Sequence, residues 1–211
     1  MDRSAQINTF SRFSQVSRET ITSLIQYEEL LIKANKNLNL IGKSTISEIW
    51  HRHFLDSIQV IDFIDKNDST LLDLGSGAGF PGIVIAIVAN DRKIPLKVKL
   101  IEKSLKKVKF LRKIVNELHL NAEVFHQNIL QPSTKLVGDA FVARAFKPLK
   151  IILQLIHKKA EKWEKIFIFL GKTWQNELLQ ASKSWDIKYK QRVSITSSDS
   201  MVIEINELKK K

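Results

Sequence analysis

Apolar side chains recur at helical spacing over residues 17–38, at Ile21, Leu24, Ile25, Leu31 and Ile32 with Tyr27, Leu30, Ala34 and Leu38 alongside, which predicts a long amphipathic helix. After Gly42, Thr45 and Glu48 have the Thr-x-x-Glu spacing of a capping box. They precede Ile46, Ile49, Trp50, Phe54, Ile58 and Ile61, so one or two further helices are expected over 45–64. The charged run Asp62 to Asp68 closes this segment, and 1–66 reads as an N-terminal helical extension.

From Thr70 the pattern alternates between short apolar runs and helical periods. It predicts strands at 70–74, 97–102, 122–126, 139–143 and 166–170, with helices at 81–89, 105–119, 148–161 and 174–182 between them. Such alternation implies an α/β unit with a parallel sheet covered on both faces. The last stretch differs. Trp185, Ile187, Tyr189 and Val193 alternate with polar residues, and Met201 to Ile205 comes after Ser194 to Ser200, the pattern of an antiparallel hairpin. The expectation is a seven-stranded, mostly parallel sheet over 67–211. With no repeat, linker or break in composition, 1–211 reads as a single domain.

The longest strongly apolar stretch, Ile83 to Ala89, is too short to cross a bilayer, and the start, MDRSAQINTF, lacks the apolar core of a signal peptide. Zero cysteines exclude a disulfide framework and thiolate metal sites. A cytoplasmic monomer with no membrane partner is the resulting expectation. The balance of 34 basic against 22 acidic residues gives +12, which favours a polyanionic partner, RNA or DNA ahead of an acidic membrane surface. Lys103, Lys106, Lys107, Lys109, Arg112 and Lys113 crowd one helix, whereas the Lys209 to Lys211 tail reads as merely solvated.

Residues 71–82, LLDLGSGAGFPG, hold the most specific chemistry. A strand carrying Asp73 runs into glycines at 75, 77 and 79, and Pro81 suits a first helical position. Free amides at that helix start would form a partly positive cradle. A phosphate-binding loop of Gly-x-x-x-x-Gly-Lys-Ser/Thr type is excluded, because Asn37 and Ile166 stand five residues before Gly42-Lys43-Ser44 and Gly171-Lys172-Thr173. A dinucleotide site would want glycine at 80, where Phe80 stands; Gly-x-Gly-x-Gly fits S-adenosylmethionine better. Glu102 closes the next strand, where a carboxylate accepts hydrogen bonds from ribose hydroxyls. Asp73 has two readings, beside the ligand's ammonium or capping the turn through backbone N–H groups.

Three absences narrow the acceptor. Cytosine C5 methylation needs a cysteine nucleophile, and there is none. The Asn/Asp-Pro-Pro-aromatic loop used on exocyclic amines is replaced by Ala143-Arg144-Ala145-Phe146-Lys147-Pro148. A ring nitrogen such as guanine N7 already bears a lone pair and needs in-line placement rather than a base. Arg144, at the carboxyl end of the fourth strand, is the candidate catalytic residue: it would pair with the methionine carboxylate or hold guanine O6, the alternative being a surface ion pair. Phe146 stays unassigned between base stacking and core packing. His53 and Asp56, three apart, share a helical face and are expected to bond to each other; no metal is expected at His51 and His53, which face apart.

Taken together, Asn39-Leu40, Arg52-His53-Phe54-Leu55-Asp56-Ser57, Asp73 to Gly82, Lys107-Val108-Lys109-Phe110-Leu111 and Arg144-Ala145-Phe146 give the sequence a strong resemblance to the bacterial 16S ribosomal RNA guanine-N7 methyltransferase family, also called the glucose-inhibited division protein B family, over roughly residues 20–205. The resemblance implies a Rossmann-like class I S-adenosylmethionine-dependent methyltransferase, acting on guanine N7 in the decoding-region loop of 16S rRNA of the small ribosomal subunit. By motif, its cofactor contacts fall on Gly75, Phe80, the backbone at Ile129 and Leu130, and Arg144, beside the Asp73, Gly77 and Glu102 read from the turn itself. The chain departs from the family after the fifth strand, with Gly171-Lys172 where Lys-Gly is usual. A methyltransferase for another RNA or a small molecule, and a non-catalytic RNA-binding protein, are the competing readings.

Overall fold

The computed structural model describes residues 2–64 and 69–211. The boundary expected between residues 66 and 67 lies outside them. Seven strands form one sheet in the order β3-β2-β1-β4-β5-β7-β6, where β1 is Thr70–Leu74, β2 Lys97–Glu102, β3 Ala122–His126, β4 Ala140–Arg144, β5 Lys165–Leu170, β6 Trp185–Ser194 and β7 Ser197–Lys210. β1 to β5 are parallel and β7 runs antiparallel to both neighbours. The hairpin turn is tighter than the seven residues expected from Ser194 to Ser200, because β7 already starts at Ser197. β7 also carries Lys209 and Lys210 as paired strand residues, and Lys211 Nζ donates to Ser182 O, so the basic tail is tied down rather than free.

The N-terminal part departs most from expectation. A helix α1, Arg3–Ser14, precedes the predicted one; Asp2 caps it, accepting from Ala5 N at 2.8 Å, and it buries Phe10 edge-on against Trp50. Its apolar positions are too few for the periodicity to betray it. α2, Arg18–Leu38, is capped by Ser17 and buries Leu24, Tyr27 and Leu31, one helical stripe. The residues beyond form no long helix. A 3-10 turn Lys43–Glu48 leads into a π-helical stretch Trp50–Leu55, one α-helical turn α3, Asp56–Ile58, and a 3-10 turn Ile61–Phe63. The expected capping box does not form: Thr45 Oγ1 donates to Gly42 O, and Glu48 pairs with exposed Arg52.

α4 (Gly82–Asp91), α5 (Leu105–Glu117), α6 (Leu149–Lys159) and α7 (Trp174–Ser182) match the predicted helices closely. Side chains alternate across a strand, so β1 sends Leu71 and Asp73 to one face and Leu72 and Leu74 to the other. The first face packs α4, α5 and the N-terminal helices around Leu24, Tyr27, Phe54 and Val84; the second packs α6 around Phe141, Ile152 and Ile156. Because β1, β2 and β4 are parallel and in register, Gly75, Glu102 and Arg144 emerge together at the carboxyl edge of the sheet.

Candidate active site

The turn after β1 spends its amides within the protein. Gly75 (φ +76°) and Ser76 both give their N–H to Ile101 O, Gly77 gives its to Glu102 Oε2 at 3.0 Å, Gly79 to Ser76 O, and Gly82 to Asp73 Oδ2 at 3.1 Å. The cradle of free amides expected here is therefore largely consumed within the turn. Pro81 stands one residue earlier than expected, at the N-cap of α4. Asp73 takes the capping reading: its position on the α4 face of β1 aims the carboxylate at the helix start. Burial raises its pKa to about 7 against the lowering pull of the Gly82 N–H. Gly79 is pinned from the far side by the Tyr27 hydroxyl, which donates to Ala78 O at 2.7 Å.

A cavity of about 200 Å3 opens between this turn and the loops after β3 and β4. Gly75, Glu102, Ile129 and Leu130 line it, with Asn128 and Phe146. Phe146 covers Gly75 so closely that a Cβ there would lie 2.3 Å from its ring, so Phe146 is a wall of the cavity. The Glu102 carboxylate is buried and accepts from Gly77 N–H and Ser104 N–H, one on each oxygen, which fixes its plane and leaves one lone pair per oxygen for a ribose. Leu130 N donates to the Asn128 side chain, which shapes the loop under the opening.

Phe80, Gly77, Asp73 and Arg144 are not on that cavity's lining. The Phe80 ring is captured by the aromatic core: it stacks on His53 at 4.9 Å and 13°, and packs against Tyr27 and Phe54. Arg144 lies above it, 5.9 Å from the ring centroid. The guanidinium is fixed three ways, by Nε to Asp56 Oδ2 at 2.8 Å, Nη1 to His53 Nδ1 at 3.2 Å and Nη2 to Arg52 O at 2.7 Å.

The expected bond between His53 and Asp56 does not form; both turn to Arg144 instead. Arginine has only donors, so His53 Nδ1 accepts, and the proton sits on Nε2, which faces Thr45 Oγ1 at 3.0 Å. Burial, reinforced by the charges of Arg144 and Arg52, lowers the His53 pKa to about 3, and the ring is neutral. The other oxygen of Asp56 accepts from Ser194, Thr196 and Gln59 at 2.8–2.9 Å. Asp56 thus joins the helical extension, β4 and the hairpin turn. Sequence patterns alone do not reveal Thr45, Tyr27 and Thr196 in these roles; only the Tyr27 position in the α2 stripe hints at burial.

A 3-2-1-4-5-7-6 sheet with a glycine turn after β1 and a buried acid ending β2 defines the class of S-adenosylmethionine-dependent, Rossmann-like methyltransferases. Two solved structures share the fold: M. jannaschii TYW2 in complex with AdoMet (TM-score 0.53, 14% identity, covering 77% of this chain and 78% of that one) and a TehB-like SAM-dependent methyltransferase from Corynebacterium glutamicum (TM-score 0.51, 13%, 72% and 87%). The chain belongs to the rRNA small subunit methyltransferase G family, whose pattern matches residues 20–205. Relatives named ribosomal RNA small subunit methyltransferase G include those of Pelagibacter ubique (40% identical over 198 residues, 93% of this chain and 92% of the relative), Rickettsia akari (36%, 93% and 98%) and Bartonella tribocorum (35%, 92% and 91%).

Proposed function

We propose that this protein methylates N7 of a guanine in the decoding-region loop of 16S rRNA, with the small ribosomal subunit or its RNA as partner. It does so as a cytoplasmic monomer whose 211 residues act as one domain. The observation that carries the donor half is the Gly75–Phe146 wall facing the fixed Glu102 carboxylate. The residues fit the group: an uncharged glycine turn, open at Gly77 and walled by Phe146 at Gly75, suits a sulfonium ligand without phosphates, and the free lone pairs of Glu102 suit ribose hydroxyls.

Gly75, Ile129 and Leu130 would enclose the adenosine end; Gly77 orients Glu102, and Asp73 holds the turn to α4. Phe80 acts through its backbone in that turn, since its ring is engaged elsewhere. Arg144 is the positioning cation. Three of its five N–H groups are engaged, and two are left to meet the methionine carboxylate or guanine O6. Bound S-adenosylmethionine would supply an electrophilic methyl carbon to N7, and because N7 already carries a lone pair the chain's own residues need remove no proton. This accounts for a site in which the imidazole beside Arg144 is neutral and tied at both nitrogens.

Incubation with methyl-labelled S-adenosylmethionine and small-subunit RNA, free or as subunits, tests the reading. Label at an N7-methylguanine, located by chemical cleavage of the strand there, is expected. Small-subunit RNA left without label overturns it, and label at another atom overturns the choice of N7.

A further inference from the structure

A chain of hydrogen bonds runs from Arg144 out to the exposed turn that follows α2. Arg144 Nη1 donates to His53 Nδ1 at 3.2 Å, and His53 Nε2 faces Thr45 Oγ1 at 3.0 Å. The Thr45 hydroxyl in turn donates to Gly42 O at 2.8 Å, and the same carbonyl accepts from Thr45 N at 2.9 Å. A guanidinium only donates and a carbonyl only accepts, so both ends of the chain have a fixed sense. With its own proton given to Gly42 O, Thr45 Oγ1 offers a lone pair to the ring, and the His53 proton belongs on Nε2. Every bond therefore points away from Arg144, toward the turn.

The surroundings hold this chain in place. His53 stacks on Phe80 at 4.9 Å and 13°, which sets the plane of the ring but not the nitrogen that bears the proton. That nitrogen is set by the bond the other one makes, and Arg144 and Thr45 demand the same tautomer from opposite sides. At the far end, the buried Asn35 of α2 accepts from Leu40 N at 2.6 Å and Ile41 N at 2.9 Å and donates to Ile41 O at 3.1 Å, so the residues leading into Gly42 are tied to that helix. We infer that Thr45 is a positioning residue for the methyl-transfer site: by holding the His53 Nε2 proton, it presents the Nδ1 lone pair to Arg144 and fixes the aim of the guanidinium's unengaged N–H groups. Without the Thr45 oxygen, a half-buried ring N–H loses its acceptor, and the ring gains by turning from Arg144 to find another. The effect on methyl transfer rests on the proposed function, whereas the state of the His53 ring does not.

The test uses the intact protein with Thr45→Val, close in shape but without the hydroxyl, Thr45→Ala as a second removal, and Thr45→Ser, which keeps the hydroxyl. The readouts are the proton NMR signal of the His53 ring N–H, assigned by its loss in His53→Gln, steady-state methylation of small-subunit RNA, and the urea midpoint. Wild type and Thr45→Ser should show the Nε2–H signal, sheltered from exchange by its bond to Thr45, and the two removals should lose it. Thr45→Val should lower kcat/KM about tenfold, the scale of one hydrogen bond, and Thr45→Ser should recover most of the loss. Because Thr45 acts through the ring, Thr45→Val should add little to the loss caused by His53→Gln. Wild-type kcat/KM in both removals overturns the assignment, and so does full additivity with His53→Gln or an equal loss in Thr45→Ser. A lower urea midpoint with the ring signal and kcat/KM unmoved would leave Thr45 a purely structural part and overturn it as well. If the wild type methylates no small-subunit RNA, the proposed function falls, and the NMR signal alone then upholds or overturns the hold of Thr45 on His53.

Discussion

Arg144 Nε lies 2.8 Å from Oδ2 of Asp56, and through this pair the end of a central strand is tied to the N-terminal helical extension. Both side chains are largely shielded from water, and the second carboxylate oxygen holds Ser194, Thr196 and Gln59. Asp56→Ala strands a shielded guanidinium and three donors, and should cost about 3 kcal/mol in urea-unfolding stability. Asp56→Asn keeps an acceptor for the hydroxyls and should lose clearly less. Equal losses would mean that the charge carries the whole contact.

Gly75→Asp should weaken donor binding with a folded chain remaining. The residue sits at φ +76°, which aspartate tolerates better than most, but any Cβ meets the Phe146 ring at 2.3 Å and its charge would face Glu102. S-adenosylmethionine affinity by calorimetry should drop more than about tenfold. An unchanged affinity would show that this turn is not the donor site.

Two groups, the half-buried His53 and the buried Asp73, should act on stability with opposite pH dependence. His53 has a folded pKa of about 3 against the ordinary 6.5, so the unfolded chain binds more protons between those values and the native state loses stability as pH falls through that window. Asp73 has a folded pKa of about 7 against 3.8, so the folded state holds the extra proton and stability is lost as pH rises from 3.8 to 7. Relative to wild type, His53→Gln should therefore gain stability toward acid and Asp73→Asn toward neutrality, each with a limiting slope of about 1.4 kcal/mol per pH unit. Urea midpoints from about pH 4 to 7 measure both; parallel wild-type and variant curves would disprove the assignments.

Replacing Lys106, Lys109 and Lys113 together with glutamine should weaken RNA binding without touching donor affinity. All three are exposed on α5, and Lys113 has an exposed partner, Glu117 at 3.5 Å. The salt slope should fall by up to about 0.7 to 0.9 per lysine that meets a phosphate. An unmoved RNA affinity in a filter-binding titration would leave this face to solvent.

The sheet was legible because its signals are local: apolar runs such as Leu71–Leu74 bounded by glycines, and helical periods between them. Gly75 and Glu102 were readable from the turn and the strand end, Ile129 and Leu130 only from the family resemblance, and the four line one cavity because parallel strands in register bring their carboxyl ends together. The rest was set by contacts distant in sequence. His53 and Asp56 look like partners three residues apart, yet Arg144, far along the chain, offers both a better one. Thr45 and Glu48 spell a capping box, but tertiary packing drew Thr45 to His53 and Gly42 and left a 3-10 turn. Phe80 matched the pattern of a ligand contact, and its ring was captured by Tyr27, Phe54 and His53.

The bond from Thr196 to Asp56 also has a temporal side. Asp56 and Arg144 are both synthesised before the hairpin that completes their surroundings, with 140 residues separating Asp56 from Thr196. The surroundings of the Arg144–Asp56 pair are thus closed by residues that follow both of its members in the chain.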